Sequence, residues 1–523
     1  MSVDTPVPGS GATAPPADRE PDPRPRRRPD PGRTARGRFL RRVWRLHFYA
    51  GMIAGPVLLL LALTGVVILY TDPIQSVLHR GLFSVSERAS TVDLDRQVAA
   101  AVASVGDGAE VVSVTPPQAA DRSTRVDVLR DGWDTARSVY VDPYTGTVLG
   151  SMKEGDDLVG LANRLHGFLN NDAVTVPLPS LAHLVDPTDH PSAVVDIPLG
   201  SLVIEIVTVW TLVLAVSGIY LWWPRRSEKG KRLFSVRWSK GGRVRWRDLH
   251  AVSGVGLAGI LVAFVVSGMP WSDYWGEDWR AVASTVTPSA EPEYTSSPVT
   301  IGELDRFGRQ IVWSDRDRAV AASDPTSTEG PATIDWDAVA RIGREEGMVP
   351  GYSIFPPATS SQGGSALGAV TLVNHWPQRL DEQRTVFLDR FSGRTLGETT
   401  AADSGILARA TDFGVNMHMG TQYGVVTRVA ATLGCLLVVA SLVTSYAMWW
   451  RRRPTGTAGL PRTSARRDTT RTRGSIGLVV IAALLAVVYP SFGLSVVAIL
   501  VLDAGRQYLL ARRRSRAAGE VSS

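Results

Sequence analysis

The side chains best suited to chemistry in this chain are histidines, and two of them sit in matching settings. His47 follows Trp44-Arg45-Leu46 and precedes Gly51 by four residues; His250 follows Trp246-Arg247-Asp248-Leu249 and precedes Gly254 by four. Gly65, in Leu63-Thr64-Gly65, stands 18 residues after His47, and Gly268, in Val266-Ser267-Gly268, stands 18 after His250. In a helix that interval is about 27 Å, close to the thickness of a bilayer core. Two further histidines precede apolar runs: His166 in Arg164-Leu165-His166-Gly167 and His418 in Asn416-Met417-His418-Met419-Gly420. Neutral imidazole is the commonest metal ligand and costs far less to bury than a charge. Two imidazoles facing across a helix bundle are the axial pair of a b-type haem. The arrangement predicts two b haems, one near each membrane face, with His47, His250, His166 and His418 as axial ligands and an electron path between them.

Other residues compete for these roles. His183 and His190, in the loop after His166, are rival outer ligands. His79 and His375 have no counterparts in the other half and read as structural. The lone Cys435 excludes a disulfide framework, a cysteine zinc site, an iron–sulfur cluster and C-x-x-C-H haem attachment. Zinc held by histidines would need a local cluster such as H-E-x-x-H, and none is present. Glu205 and Arg428 lie inside apolar runs; they can pair with each other, or Arg428 can meet a haem propionate with bidentate geometry. Trp271, Trp275 and Trp279 fall on one face if the helix continues, as an interfacial anchor or as a platform for an aromatic or chelating ligand. Gly254-Val255-Gly256-Leu257-Ala258-Gly259 matches G-x-G-x-x-G, but it follows no strand and lacks a downstream acid for a ribose. Close packing of small residues is the expectation there. There is no P-loop or triad pattern either, which places an electron donor's binding domain on another molecule.

The elements that must position these residues follow from the distribution of charge and apolarity. The 523 residues are 44% hydrophobic and 20% charged, with a net charge of +6 and a mean hydropathy of +0.03. That average hides segregation. Residues 1–38 read as a disordered tail rich in Pro and Arg. Spans are expected within 39–71, 199–223, 249–270 and 424–450. Long polar segments, 72–198 and 271–423, separate the first span from the second and the third from the fourth. The loops 224–248 and 451–475 are strongly basic, whereas both long segments are acidic. The positive-inside rule puts both termini and the basic loops in the cytoplasm, in a multi-pass protein of the cytoplasmic membrane. The +6 is therefore not a nucleic-acid signal. Residues 476–505 form two short apolar runs split by Tyr489-Pro490-Ser491-Phe492-Gly493, with basic flanks on both sides (506–523 being the second). A short-helix hairpin, re-entrant or shallow, keeps both flanks inside.

The long segments repeat each other. Val139-Tyr140-Val141-Asp142-Pro143-Tyr144-Thr145-Gly146 parallels Val386-Phe387-Leu388-Asp389-Arg390-Phe391-Ser392-Gly393, in each case a strand entering a tight turn. Helices are expected at 93–104 and 335–346, and strands at 111–116, 124–129, 351–355 and 366–374. The fold class expected is an α-helical membrane protein with a duplicated four-helix core, two extracytoplasmic α+β domains and a C-terminal hairpin.

These residues resemble the PepSY-associated transmembrane-helix family over about 40–505. The likeness lies in the Leu-His-x-x-x-Gly starts and Thr/Ser-Gly ends of spans one and three, the Trp-Trp exits Trp222-Trp223 and Trp449-Trp450, and the two Asp-x-aromatic-Thr/Ser-Gly turns. The resemblance implies outer PepSY domains and, by similarity to iron-regulated members, b haems held by His47, His250, His166 and His418 and reduction of a ferric siderophore. Expected partners are the lipid bilayer, an electron donor (quinol or a separate cytoplasmic reductase) and the ferric chelate. The rival readings are a membrane-anchored PepSY binding or regulatory protein and a siderophore-uptake accessory without redox activity.

Overall fold

A computed structural model of the chain describes residues 31–153, 155–188, 190–223, 234–239, 241–305, 311–323, 334–357, 368–374, 379–453 and 473–521. His375 lies outside these residues, as do residues 454–472 of the basic loop 451–475 and residues 224–233 and 240 of the basic loop 224–248. Among them, five helices are long and apolar enough to cross a membrane: Phe39–Leu69, Leu199–Trp222, Gly242–Trp271, Val425–Arg452 and Pro490–Leu509. The first four are called spans one to four below. Span one belongs to a helix that starts at Pro31, inside the region expected to be disordered. Proline suits the first helical position, and the arginines that follow are good helix formers.

Span one packs against spans two and four, and span three packs against the same two, so the four close into a ring. Small residues permit the close approaches. A Cβ on Gly434 would come within 2.9 Å of Ile260, and one on Gly55 within 2.6 Å of the Tyr446 hydroxyl. The expected close packing at Gly254, Gly256 and Gly259 is not found. A Cβ at Gly256 or Gly259 would meet nothing within 4 Å, and one at Gly254 only Ser441 Oγ at 4.0 Å. Gly256 and Gly259 are exposed on the outward face of the span, whereas Leu257 and Ala258 between them are buried, so the neighbouring spans do not reach these glycines.

The C-terminal hairpin is deeper than a shallow pair. Its helices run Arg473–Val488 and Pro490–Val521. At 1.5 Å per residue the first is about 24 Å long. Its tip reaches the far end of the bundle, where Tyr489 and Phe492 pack with Val209, Val265 and Met269. Trp275 Nε1 donates to the Val488 carbonyl at 2.7 Å and Trp210 Nε1 donates to Ser495 Oγ at 3.1 Å. The helix breaks at Tyr489, where the Phe492 N–H turns to the Tyr489 carbonyl, and the indole satisfies the Val488 carbonyl left at that break.

Beyond that end lies one antiparallel sheet of eight strands, not two separate sheets. Its order is Val148–Lys153, Arg137–Val141, Thr124–Arg130, Ala109–Thr115, Ser353–Phe355, Val370–Val373, Arg384–Leu388 and Thr395–Thr400. The halves join edge to edge where Val114 faces Ile354 and Thr115 Oγ1 lies 3.2 Å from Ser353 Oγ. Each half would otherwise expose an unpaired inner edge. Both expected turns form: Gly146 and Gly393 take φ of 70° and 72°, which glycine adopts without steric cost. The helices Leu94–Val105 and Trp336–Glu345 cover one face of the sheet, each capping the other. Asp337 accepts from the Leu94 and Asp95 N–H groups, and Asp95 accepts from those of Trp336 and Asp337.

Strand alternation separates the two faces. Val126, Val128, Val139 and Val141 join Ile354, Leu372, Val386 and Leu388 under the helices. On the other face the halves differ. Phe355, Val373 and Phe387 are covered by Val299, Ile301, Leu304, Ile311 and Val320 of an insert that the first half lacks. The corresponding face of the first half carries Thr115, Arg125, Asp127, Ser138 and Tyr140 and looks toward the bundle.

Two short helices tie sheet and bundle together. Leu158–Phe168, N-capped by Asp157 onto Gly160 N at 2.6 Å, packs on spans one and two. Ile406–His418 packs on span three and on the insert. It is fastened by Trp279 Nε1 donating to Thr411 Oγ1 at 2.9 Å, and by the fully buried Asp412. Ser314 and the Trp313 backbone approach the Asp412 carboxylate without closing hydrogen bonds of normal geometry. Burial, assisted by the Asp315 charge, pushes this carboxyl up to about 7. The unfolded value is about 3.9. Between these two values the folded state holds the extra proton, so this residue's contribution to stability falls as pH rises from about 4 to about 7. Asp412→Asn should therefore raise the thermal midpoint relative to wild type by a few degrees at pH 8 and progressively less toward pH 4. A gap that does not change with pH would contradict this assignment.

Candidate functional site

The ring of spans and the two short helices bring the four histidines together in pairs. His47 of span one faces His250 of span three, with ring centres 6.3 Å apart. His166 faces His418 at the sheet end, with ring centres 6.5 Å apart. Two imidazole–metal bonds of about 2.0–2.1 Å on opposite sides of one ion would separate ring centres by about 6 Å. Both pairs fit that spacing.

Hydrogen bonding sets which nitrogen carries the proton. Ser217 Oγ spends its proton on the Val213 carbonyl (2.5 Å), so it accepts from His47 Nδ1–H at 2.8 Å. Thr64 Oγ1 donates to the Leu60 carbonyl (2.8 Å) and accepts from His166 Nδ1–H at 2.9 Å. Ser267 Oγ donates to the Ala263 carbonyl (2.6 Å) and accepts from His418 Nδ1–H at 3.2 Å; the Phe264 carbonyl accepts at the same distance. His250 Nδ1–H donates to the Ser441 carbonyl at 3.1 Å. A carbonyl only accepts, and each hydroxyl has already placed its hydrogen, so Nδ1 carries the proton in all four rings. The Nε2 lone pair is left for a ligand, as in metal sites where an outer partner fixes the tautomer. Burial, reinforced by the His418 ring, holds His166 down to about 4, and burial lowers His418 as well. Both are therefore neutral imidazoles near neutral pH.

Glycines give the rings their seats. A Cβ on Gly65, Gly218 or Gly268 would lie 3.4, 3.2 or 2.8 Å from Cε1 of His166, His47 or His418. Each glycine directly follows the hydroxyl residue that binds the same ring. These hydroxyls, Thr64, Ser217, Ser267 and Ser441, were not singled out as site residues from sequence. The repeated Thr/Ser-Gly dipeptide was visible there as a span-end marker. Ser441 is followed by Leu442 and carries no such signal.

The remaining candidates sort by contact. His183 Nδ1 lies 2.7 Å from the His190 carbonyl, and His190 Nδ1 lies 3.5 Å from Glu277. Both therefore belong to a packed loop beside the Trp275–Val286 helix and not to the His418 ring. His79 sits 3.9 Å from Asp157, the cap of the helix that carries His166. Glu205 and Arg428 do not pair: Glu205 Oε2 accepts from the Trp275 N–H at 3.1 Å. The chain turns back there after span three and puts this N–H nearer than the guanidinium. Arg428 Nε has no hydrogen-bond partner among the described residues. The three tryptophans do not share a helix face, because the helix breaks at Ser272–Tyr274. Trp275 and Trp279 stack at 5.5 Å, and Trp275 also packs on Tyr489. Among the described residues there is no group of three or more His, Cys, Asp or Glu side chains placed to hold a metal ion.

A cavity of about 870 Å³ connects these parts. His166, His418, Cys435 and Arg428 line its floor in the bundle, and Arg125, Ser138 and Tyr140 line its roof on the sheet. This is a large space by the standard of small-molecule sites.

No curated protein matches the chain. The family model described as the PepSY-associated TM region matches residues 44–452. That match runs from within span one to the end of span four and takes in all four paired histidines and both halves of the sheet, and the chain belongs to the PepSY-associated transmembrane family.

Proposed function

We propose that this protein is a di-haem b membrane reductase that carries electrons across the cytoplasmic membrane to an extracytoplasmic ferric chelate, such as a ferric siderophore, in iron acquisition. The observation that carries this reading is the pairing: two rings at each site, about 6 Å between centres, every Nδ1 engaged and every Nε2 lone pair left over. Anchoring a binding domain requires none of this. His47 and His250 would hold the inner haem, and His166 and His418 the outer one. Bound there, haem would supply a one-electron couple, since axial histidine ligation suits electron transfer.

The chain's own residues do the rest. Thr64, Ser217, Ser267 and the Ser441 carbonyl hold each ring's tautomer and direction. Gly65, Gly218 and Gly268 let the rings lie against the helices. Arg428, with no acidic partner within ion-pair distance among the described residues, suits a propionate at the outer site. Ala62, Leu257, Cys435 and Val438 form an apolar cluster in the bundle between the pairs. In this reading the two halves, each a span, an outer half-sheet and a span, are duplicates of one unit, and the site lies between them. The basic loops and both termini lie in the cytoplasm, so electrons enter near His47 and His250 from a quinol or a separate cytoplasmic reductase. They leave near His166 and His418, where one-electron reduction of ferric iron weakens its hold on hard oxygen donors.

The first test is the absorbance spectrum of protein purified from haem-replete cells. A b-type Soret band and a sharp reduced α band are expected, and a colourless protein would refute the proposal. His47→Ala or His250→Ala should remove about half of the haem and leave the other half intact. His166→Ala should bleach the outer haem while His183→Ala leaves the spectrum unchanged; the reverse result would move the outer ligand into the loop. Ser217→Ala should weaken haem retention at the inner site by roughly 10–100-fold, the usual cost of losing the group that orients a ligating histidine. Ser217→Thr should restore it, and equal retention in all three forms would show that the hydroxyl has no orienting role.

A further inference from the structure

The electron-transfer reading gives no role to Glu205, a carboxylate nearly two turns into span two and only 1% exposed. A carboxylate at that depth is expensive to bury and marks a functional site by default. Its Oε2 accepts from the Trp275 N–H at 3.1 Å and so caps the helix Trp275–Val286. Capping needs one acceptor oxygen. The second, Oε1, has no hydrogen-bond partner among the described residues, and no Lys, Arg or His forms an ion pair with Glu205 there. Arg428 lines the same cavity without reaching it.

The groups around this carboxylate suit a proton. From the hairpin tip the fully buried Ser491 approaches it with an unpartnered Oγ, and Tyr489 stands beside Trp275. From the turn after span three come Ser272 and the charge of Asp273. Asp273 Oδ2 is unpartnered too, with Ser201 of span two nearby, and burial holds this carboxyl above the usual range. Tyr274 is spent on the Pro179 carbonyl at 3.0 Å, and Asp278 on the Ala182 N–H at 2.9 Å. Toward solvent, Arg316 and Glu277 act on Asp273. The Glu277 side chain is 41% exposed and pairs with Arg280 at 3.3 Å and His190 at 3.5 Å. Carboxyl groups thus run from Glu205 through Asp273 to Glu277 at the surface.

This line begins beside the outer histidines. Glu205 and Asp273 share one cavity with His166 and His418. The turn Met269–Trp271 directly follows Gly268, the seat of the His418 ring, and Asp273 comes just after it. The cavity's other carboxylates are held elsewhere. Asp127 takes the Ser113 and Ser138 hydroxyls at 2.7 Å each, and Asp157 caps the His166 helix. Glu382 lies 3.7 Å from Arg379, and Asp72 is exposed.

We propose that Glu205 and Asp273 form a proton site coupled to the outer haem: the pair takes up a proton from the outer aqueous phase, by way of Glu277, when an electron arrives there, and returns it when the electron leaves for the ferric chelate. The proposal rests on the electron-transfer reading and adds the group that balances its charge. An electron placed in a poorly polarisable interior repels a nearby carboxylate and favours its acid form. A carboxylate oxygen gains up to one proton for each electron, and no bond except that O–H is made or broken.

The test is a spectroelectrochemical titration of the purified full-length protein in detergent, between about pH 5 and about pH 9, where perturbed carboxyls titrate. The wave absent from His166→Ala is that of the outer haem. In wild type its potential should fall as pH rises, by up to about 59 mV per pH unit, the effect of a tenfold change in proton activity on a one-electron couple. Glu205→Gln keeps an acceptor oxygen for the Trp275 N–H and removes the titrating group. It should flatten the slope at the outer haem and leave haem content, melting temperature and the inner haem's slope as in wild type. Glu205→Asp, which still titrates, should retain a slope. Asp273→Asn should act like Glu205→Gln, and it decides if Glu205→Gln fails to fold. A wild-type outer potential that does not change with pH would overturn the proposal. So would a slope that survives in both Glu205→Gln and Asp273→Asn, since it would then belong to the haem propionates. Either result leaves the electron-transfer reading standing, whereas a protein without b-haem bands would overturn that reading and this proposal with it.

Discussion

The structure turns on a small hydrogen bond used four times: an imidazole Nδ1–H donating to an oxygen on a neighbouring helix. An imidazole in a bundle can rotate, flip or exchange tautomers, and any of these would misplace the nitrogen that, in the proposed function, would bind the haem iron. Here a hydroxyl that has already committed its hydrogen to its own helix, or a main-chain carbonyl, removes that freedom. At three of the four sites a glycine beside the hydroxyl removes the Cβ that would otherwise press on the ring. The helix positions follow from this requirement. Spans one and three bring in His47 and His250 directly, whereas His166 and His418 come from short helices packed on the outer ends of the same spans.

The outer helices can be placed this well because the extramembrane part is one body. Fusing two four-stranded sheets at Val114 and Ile354 ties together segments that leave the membrane from different spans. The reciprocal caps of Asp95 and Asp337 lock the covering helices across the same seam. A rigid frame above the bundle fixes the separation of His166 and His418 as effectively as the spans fix that of His47 and His250. The frame is symmetric in its strands and asymmetric in its filling. The apolar insert closes one half, and the polar face of the other stays open to the histidine pair.

Much of this was legible in the sequence, for identifiable reasons. The span positions, the strand alternation and the turn glycines Gly146 and Gly393 follow local rules of periodicity and φ that need no tertiary knowledge. The choice of His166 over His183 came from its place before span two and from the match between the halves, and the geometry places His166 opposite His418. What was not legible depended on distant contacts. Nothing local marks the seam of the two sheets, because an edge strand reads alike whether it meets solvent or another edge. Glu205 and Arg428 looked like partners because both are charges in apolar runs, but the carboxylate found a backbone N–H where the chain turns back at Trp275. The glycines of span three matched a packing pattern, yet their neighbours stop short of them. Ser441 could not be found at all, since its contact with His250 is largely through a carbonyl and any residue has one.

The central claim is that electrons cross the bilayer through two histidine-paired centres. It is tested most directly in sealed vesicles that contain the purified protein, with a membrane-impermeant reductant trapped inside and a ferric chelate outside together with an impermeant ferrous-specific indicator. The account predicts ferrous iron in the outer compartment, formed only when the protein is present and lost when either histidine pair is broken. A protein that binds haem and is reduced from inside, but forms no ferrous iron outside, would contradict it.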